Sequence, residues 1–99
     1  MGIFFWEFGG VQGAFPAAIG PLEGVTKNSI VVASITEILV PPGSSIGSDD
    51  NIPFLGDANN MLIKNVVPEE NGVVTMMIDT GWSGGPINIR LCIAVMGDI

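Results

Sequence analysis

Between Ile87 and Met96 strongly apolar and other positions alternate without a break: Ile87, Ile89, Leu91, Ile93 and Val95 fall on one side, and Asn88, Arg90, Cys92, Ala94 and Met96 on the other. A period of two over this length predicts a β-strand with one face buried and a second face only partly wet. Val74, Met76 and Ile78 alternate with Thr75, Met77 and Asp79 in the same way and predict another strand. Between "MLIKNVV" and that strand lies "PEENG", where Pro68 ends one extended run and Asn71-Gly72 permits the positive φ of a hairpin turn. The spacing therefore predicts a three-stranded antiparallel meander from Met61 to Met96. "SIVVASITEILV", Ser29 to Val40, is a fourth strand. Its Ile, Val, Thr and Ser lower helix propensity, no good cap precedes it, and Pro41-Pro42 stops it.

The opening "MGIFFWEFGGVQGAF" has no such clean period. Five of the chain's seven aromatic residues fall here, and Gly9, Gly10, Gly13, Pro16, Gly20 and Pro21 break it up. Residues 1–21 read either as a first strand or as an aromatic arm that a hinge-like stretch lets leave the body. Residues 22–99 read as the β body, interrupted by a long turn-rich loop at 41–60. The expected fold is one all-β domain over 1–99, a small β-sandwich or jelly-roll-like barrel with an N-terminal arm and a C-terminal antiparallel meander.

Composition changes this picture in one respect. Of 99 residues, 47% are strongly apolar, 14 are glycine, and 13% are charged, against about 25% charged in an ordinary soluble domain. A domain this small buries only roughly 60–70% of its chain surface, so the apolar surplus is expected to meet other subunits. The expected partners are further copies of the chain, as a trimer or higher homo-oligomer, and a larger protein shell. Phe4, Phe5, Trp6, Phe8 and Trp82 are the candidate interface residues, because aromatic anchors carry much of the energy of such contacts.

Charge excludes two classes of partner. Ten acidic residues stand against Lys27, Lys64 and Arg90, a net charge of -7. Three scattered cations cannot displace the counterions of a nucleic acid or dock to an anionic membrane. No targeting segment stands out, and the Met-Gly start fails as a myristoylation site because Trp6 sits where Ser or Thr is required. Cys92, the single cysteine, reads as a buried thiol without a disulfide partner.

Most catalytic chemistry is excluded as well. "TGWSGGPI" resembles the end of the "GDSGGP" motif around the serine-protease nucleophile. Trp82 replaces the motif's aspartate, however, and the chain has no histidine to activate Ser83. The stretch reads instead as a glycine-rich loop. Without histidine and with one cysteine, the usual zinc, copper and iron sites are gone. Only oxygen ligands remain, and Asp49, Asp50 and Asp57 in the long loop are the candidates for calcium, at a spacing that matches no EF-hand. Glu69-Glu70 and Asp49-Asp50 offer paired carboxylates, but adjacent turn residues rarely face one pocket. No phosphate-cradling glycine motif occurs. The expectation is no catalytic residue, no cofactor and no enzyme.

An acidic, cysteine-poor, β-rich chain with these features resembles in type the small virion proteins, such as the decoration or cement proteins of tailed-phage capsids. That resemblance implies a structural subunit located in the virion. The alternatives are a cytoplasmic or extracellular soluble assembly, and a small carbohydrate- or surface-binding β-sandwich module that uses Trp6 or Trp82 as a stacking platform.

Overall fold

The computed structural model describes residues 2–99. Its strands are β1 (Gly2–Val11), β2 (Ala14–Ile19), β3 (Ser29–Leu39), β4 (Ile52–Pro53), β5 (Leu62–Pro68), β6 (Val74–Asp79) and β7 (Ile87–Asp98). They form two antiparallel sheets, ordered β1-β7-β3-β4 and β2-β6-β5, so the fold is the expected all-β sandwich. The alternation of β7 makes it the centre of the first sheet, since its odd positions Ile89, Leu91, Ile93 and Val95 are all buried. They meet Val74, Met76 and Ile78 of β6, and Ala17 and Ile19 of β2. Each fully covered Ile, Leu or Val contributes roughly 1.5–3 kcal/mol relative to exposure.

The meander from Met61 to Met96 is corrected. Strands β5 and β6 do form a hairpin, closed by the Glu69 N–H on the Val73 carbonyl at 2.8 Å and by Gly72 at φ 91°. β7 then leaves for the other sheet, between β1 and β3. The connection from Thr80 to Pro86 is longer than a tight hairpin loop and instead crosses from one layer to the other. A second crossing, from β1 to β2, passes Gln12-Gly13. The two crossings are tied together: Thr80 N–H donates to the Gly13 carbonyl, and Gly13 N–H donates to the buried Thr80 hydroxyl, both at 3.0 Å.

The opening segment is a strand rather than a free arm. Gly2–Phe8 pairs with Ile89–Val95 in unbroken register, and the glycines form a bulge between Phe8 and Val11, with Gly10 at φ 63°. Phe4 and Phe8 pack on the core, and Phe8 meets Phe15 edge-on with ring centres 6.3 Å apart. The supposed hinge is largely β2. Pro16 does not break that strand, because β2 is the edge of its sheet and an edge position can dispense with one N–H.

The long loop at 41–60 is also ordered by its own chemistry. Three successive turns close through Ser44 N–H to Pro41 O, Ser48 N–H to Ser45 O and Asn51 N–H to Ser48 O. They bring the chain back so that Ile52 and Pro53 pair with Leu39 and Ile38. Ile38 is buried as a result.

Candidate functional site

The face of the four-stranded sheet that points away from the sandwich core is divided into two halves. Register sets its side chains in rows across β1, β7 and β3. Glu7, Arg90 and Thr36 form one row, then Phe5, Cys92 and Ser34, then Ile3, Ala94 and Val32. The 41–51 loop covers the first row. The other two rows are bare.

In the covered half, Glu7 is 4% exposed at its side chain and accepts four hydrogen bonds. Arg90 donates from Nε at 3.0 Å and Nη2 at 2.8 Å to Oε2. Gly47 N–H and Asn51 Nδ2 each donate to Oε1 at 2.7 Å. Asn51, itself 5% exposed, also donates from Nδ2 to the Ser45 carbonyl at 3.0 Å, and its backbone carbonyl accepts from Arg90 at 3.4 Å. A strand carboxylate thus holds the loop through two donors, while the strand guanidinium supplies the balancing charge. Burial pushes the Glu7 carboxyl up, but the bonds from Asn51, Gly47 and Arg90, with the Arg90 charge, outweigh it and leave the group below the ordinary carboxylate value.

Beside this latch lies a cleft of about 580 Å³ lined by Phe5, Trp6, Ile46, Ser48, Asp49 and Arg90 among others. The Arg90 guanidinium carbon sits 5.6 Å from the Phe5 ring centre, a cation–π distance. Glu7, Arg90 and the Asn51 Nδ2 are thus engaged with one another, whereas the buried Asn51 Oδ1 has no partner; Asp49 and Ser48, whose hydroxyl accepts from the Asp50 N–H at 3.2 Å, are the other polar side chains of the cleft.

In the bare half, Ile3 is 73% and Phe5 66% exposed, and Ile30, Val32 and Met96 extend the same apolar surface. Cys92 lies in the middle, half-buried, so the expected buried thiol is corrected: its strand alternates toward this outer face. Ser34 is the one polar side chain in the two bare rows.

The five candidate interface aromatics do not act together. Phe4 and Phe8 belong to the protein's own core, whereas Phe5 and Trp6, the latter 48% exposed, remain at the surface. Trp82 is half-buried in the β6–β7 connection, folded over Gly84 within its own loop. The candidate calcium ligands are not gathered either: Asp49 borders the cleft, Asp57 stands in a separate turn, and among the described residues no group of three such ligands forms. Ser83 is exposed on the same glycine-rich loop.

Sequence reasoning missed Glu7, Asn51 and Arg90 as a unit. A signal was there, since Glu7 is the one acid in the apolar opening run and Arg90 the one base in the alternating run. Opposite charges placed singly in two apolar strands have to find each other or be left buried and unpaired. No family model, no curated protein and no solved structure matches the chain. No helix among the described residues is long and apolar enough to cross a membrane.

Proposed function

We propose that this chain is a non-enzymatic structural subunit that associates with copies of itself, as a trimer or higher, and is built into a larger protein shell of the capsid decoration or cement type, located in the virion. The observation that carries this reading is the bare half of the outer face. Three adjacent strands present Ile3, Phe5, Cys92, Ala94, Met96, Ile30 and Val32 side by side without a charged residue among them. Contiguous apolar surface of this kind on a rigid sheet is the usual ground for subunit contact. The acidic remainder of the surface, with its three cations, offers nothing to nucleic acid or anionic lipid.

Light scattering and sizing of the purified protein test the reading, with Val32→Glu as the variant. Val32 is exposed on β3, so the substitution leaves the fold intact while placing a charge within the contact. The wild type is expected to be an oligomer at micromolar concentration and Val32→Glu a monomer with unchanged circular dichroism. A monomeric wild type overturns the reading.

A second reading, a carbohydrate-binding module, is favoured by Phe5 and Trp6 standing beside Asp49 and Ser48 in the cleft. Aromatic faces with flanking hydrogen-bonding groups bind sugars. It ranks lower because Glu7, Arg90, the Gly47 N–H and the Asn51 Nδ2 are already engaged in the latch, which leaves the buried Asn51 Oδ1 as its one polar atom without a partner. Titration with soluble cello- and chito-oligosaccharides, read by Trp fluorescence and heat, decides it: saturable binding lost in Trp6→Ala supports a sugar site, and no binding removes it.

A further inference from the structure

We infer that the cavity beside Glu37 is a binding site for a primary alkylammonium group, carried by a free amine or by a lysine side chain. The inference goes beyond the assembly reading and stands independently of it.

Along β3, Val31, Ala33 and Ile35 turn toward the core and pack against it. Glu37 is the next position on that side. It stands in one row with Ile89 of β7, which is fully buried, and with Phe8 of β1, which packs on the core. An acid therefore occupies a place that the period of the strand reserves for an apolar residue. Glu7 meets Arg90, but Glu37 has no such counterpart. Among the described residues no ion pair reaches it, and its Oε1 is buried without a hydrogen-bond partner. Arg90 and Lys64 are committed to Glu7 and Asp79. Lys27 precedes the opposite end of β3, about 30 Å away at the rise of a strand.

The segment after β4 makes room for this carboxylate. Gly56 has a backbone that any residue adopts, unlike the glycines at positive φ, so what its place requires is the missing side chain. A methyl group there would run into Oε1, Cδ and Oε2 of Glu37. The Phe54 N–H, donating to the Glu37 carbonyl at 3.1 Å, holds the two segments together. Between them lies a cavity of about 220 Å³, which Glu37 lines with Ile35, Phe54, Ala58, Asn59 and Met61 among others.

The chemistry of this lining selects the ligand. A buried carboxylate oxygen to which the chain gives no donor is best met by a donor that also carries positive charge. One carboxylate and the Asn59 amide fall far short of the roughly six to eight oxygens that calcium takes, and no trio of acidic ligands forms among the described residues. The rest of the wall is apolar. It suits a cation whose charge sits at the end of a hydrocarbon stem. The three N–H donors of an alkylammonium serve Glu37 and the Asn59 oxygen, and the stem covers Ile35, Ala58 and Met61. The net charge of -7 raises the concentration of cations around the protein.

Calorimetric titration of the protein with n-butylamine at neutral pH tests the site, with amide NMR shifts to place it. Saturable binding is expected, with shifts gathered at Glu37 and residues 54–59. Affinity should be about tenfold or more weaker in Glu37→Gln, which keeps the size and removes the charge. n-Butanol, with the same stem and no charge, should not bind, and this comparison decides the need for charge even if Glu37→Gln does not fold. Absence of butylamine binding, or equal binding by Glu37→Gln, overturns the proposal. Butanol binding as tight as that of the amine overturns it too, as does displacement of the amine by calcium chloride. Comparison with Nα-acetyl-lysine N-methylamide separates the sources: tighter binding than butylamine assigns the pocket to the lysine side chain of a partner, and equal or weaker binding assigns it to a free amine.

Discussion

Glu7 and Arg90, 83 positions apart in sequence, stand opposite each other in the β1–β7 register and are joined by two hydrogen bonds to one carboxylate oxygen. Removing one partner of a buried pair leaves the other uncompensated, at a cost of about 3–5 kcal/mol. Arg90→Met is expected to lie near the lower end, because Gly47 and Asn51 still donate to Glu7. Denaturant unfolding measures it, and a loss under about 1 kcal/mol would show the pair to be dispensable.

The same pair sets an acid limit. The Glu7 carboxyl is held below its ordinary value, so its stabilising contribution is complete above the unfolded-state pKa of about 4.3 and fades as pH falls through the lowered folded value. Stability is expected to drop below about pH 4, with a smaller drop in Glu7→Gln, whose amide does not titrate. Melting temperatures of both proteins between neutral and acid pH would show it; identical acid profiles would exclude Glu7 as the cause.

The 41–51 loop is expected to detach when its amide anchor is lost. Asn51→Ala removes the bonds to Glu7 Oε1 and the Ser45 carbonyl and uncovers Ile38. A stability loss of about 1–3 kcal/mol should follow, with faster proteolysis confined to this loop. Uniform proteolytic resistance would mean that the turns alone hold it.

Ser83→Ala is expected to be silent, since the hydroxyl is exposed and no histidine exists to activate it. Gly85→Val should cost about 1–3 kcal/mol, because Gly85 sits at φ 126° where a β-branched residue is strained. Thermal unfolding separates the two. Capture of Ser83 by a fluorophosphonate would reverse the non-enzyme reading.

Deleting residues 1–8 is expected to unfold the domain. That segment supplies the strand beside β7 and places Phe4 against the core, losses that a marginal stability of roughly 5–15 kcal/mol does not absorb. A folded monomer on circular dichroism and sizing would instead show that the β body stands without β1.

The strands with a period of two, β6 and β7, were legible because one face of each is buried over most of its length, and β3 was legible from its β-branched residues. Pairing was not. The pattern of β7 fixes which side chains turn inward but says nothing of its neighbours, so β7 read as continuing the β5–β6 hairpin when it crosses to the other sheet. β2 was hidden for a different reason: Pro16 and the flanking glycines are turn signals by composition, and only its position at a sheet edge makes them compatible with a strand. At the site, Phe5 and Trp6 were identified. The latch depended on Asn51, whose role comes from three consecutive turns that no periodicity encodes.

Of the seven strands β1 is synthesised before all the others, and the strand that holds it, β7, after all the others. Throughout translation the most aromatic stretch of the chain has to wait unpaired, with Phe4, Phe5, Trp6 and Phe8 in the open. A topology closed by its first and last strands folds slowly, because its decisive contact spans nearly the whole sequence. Yield in the cell should therefore depend on holdase chaperones that shield the nascent β1.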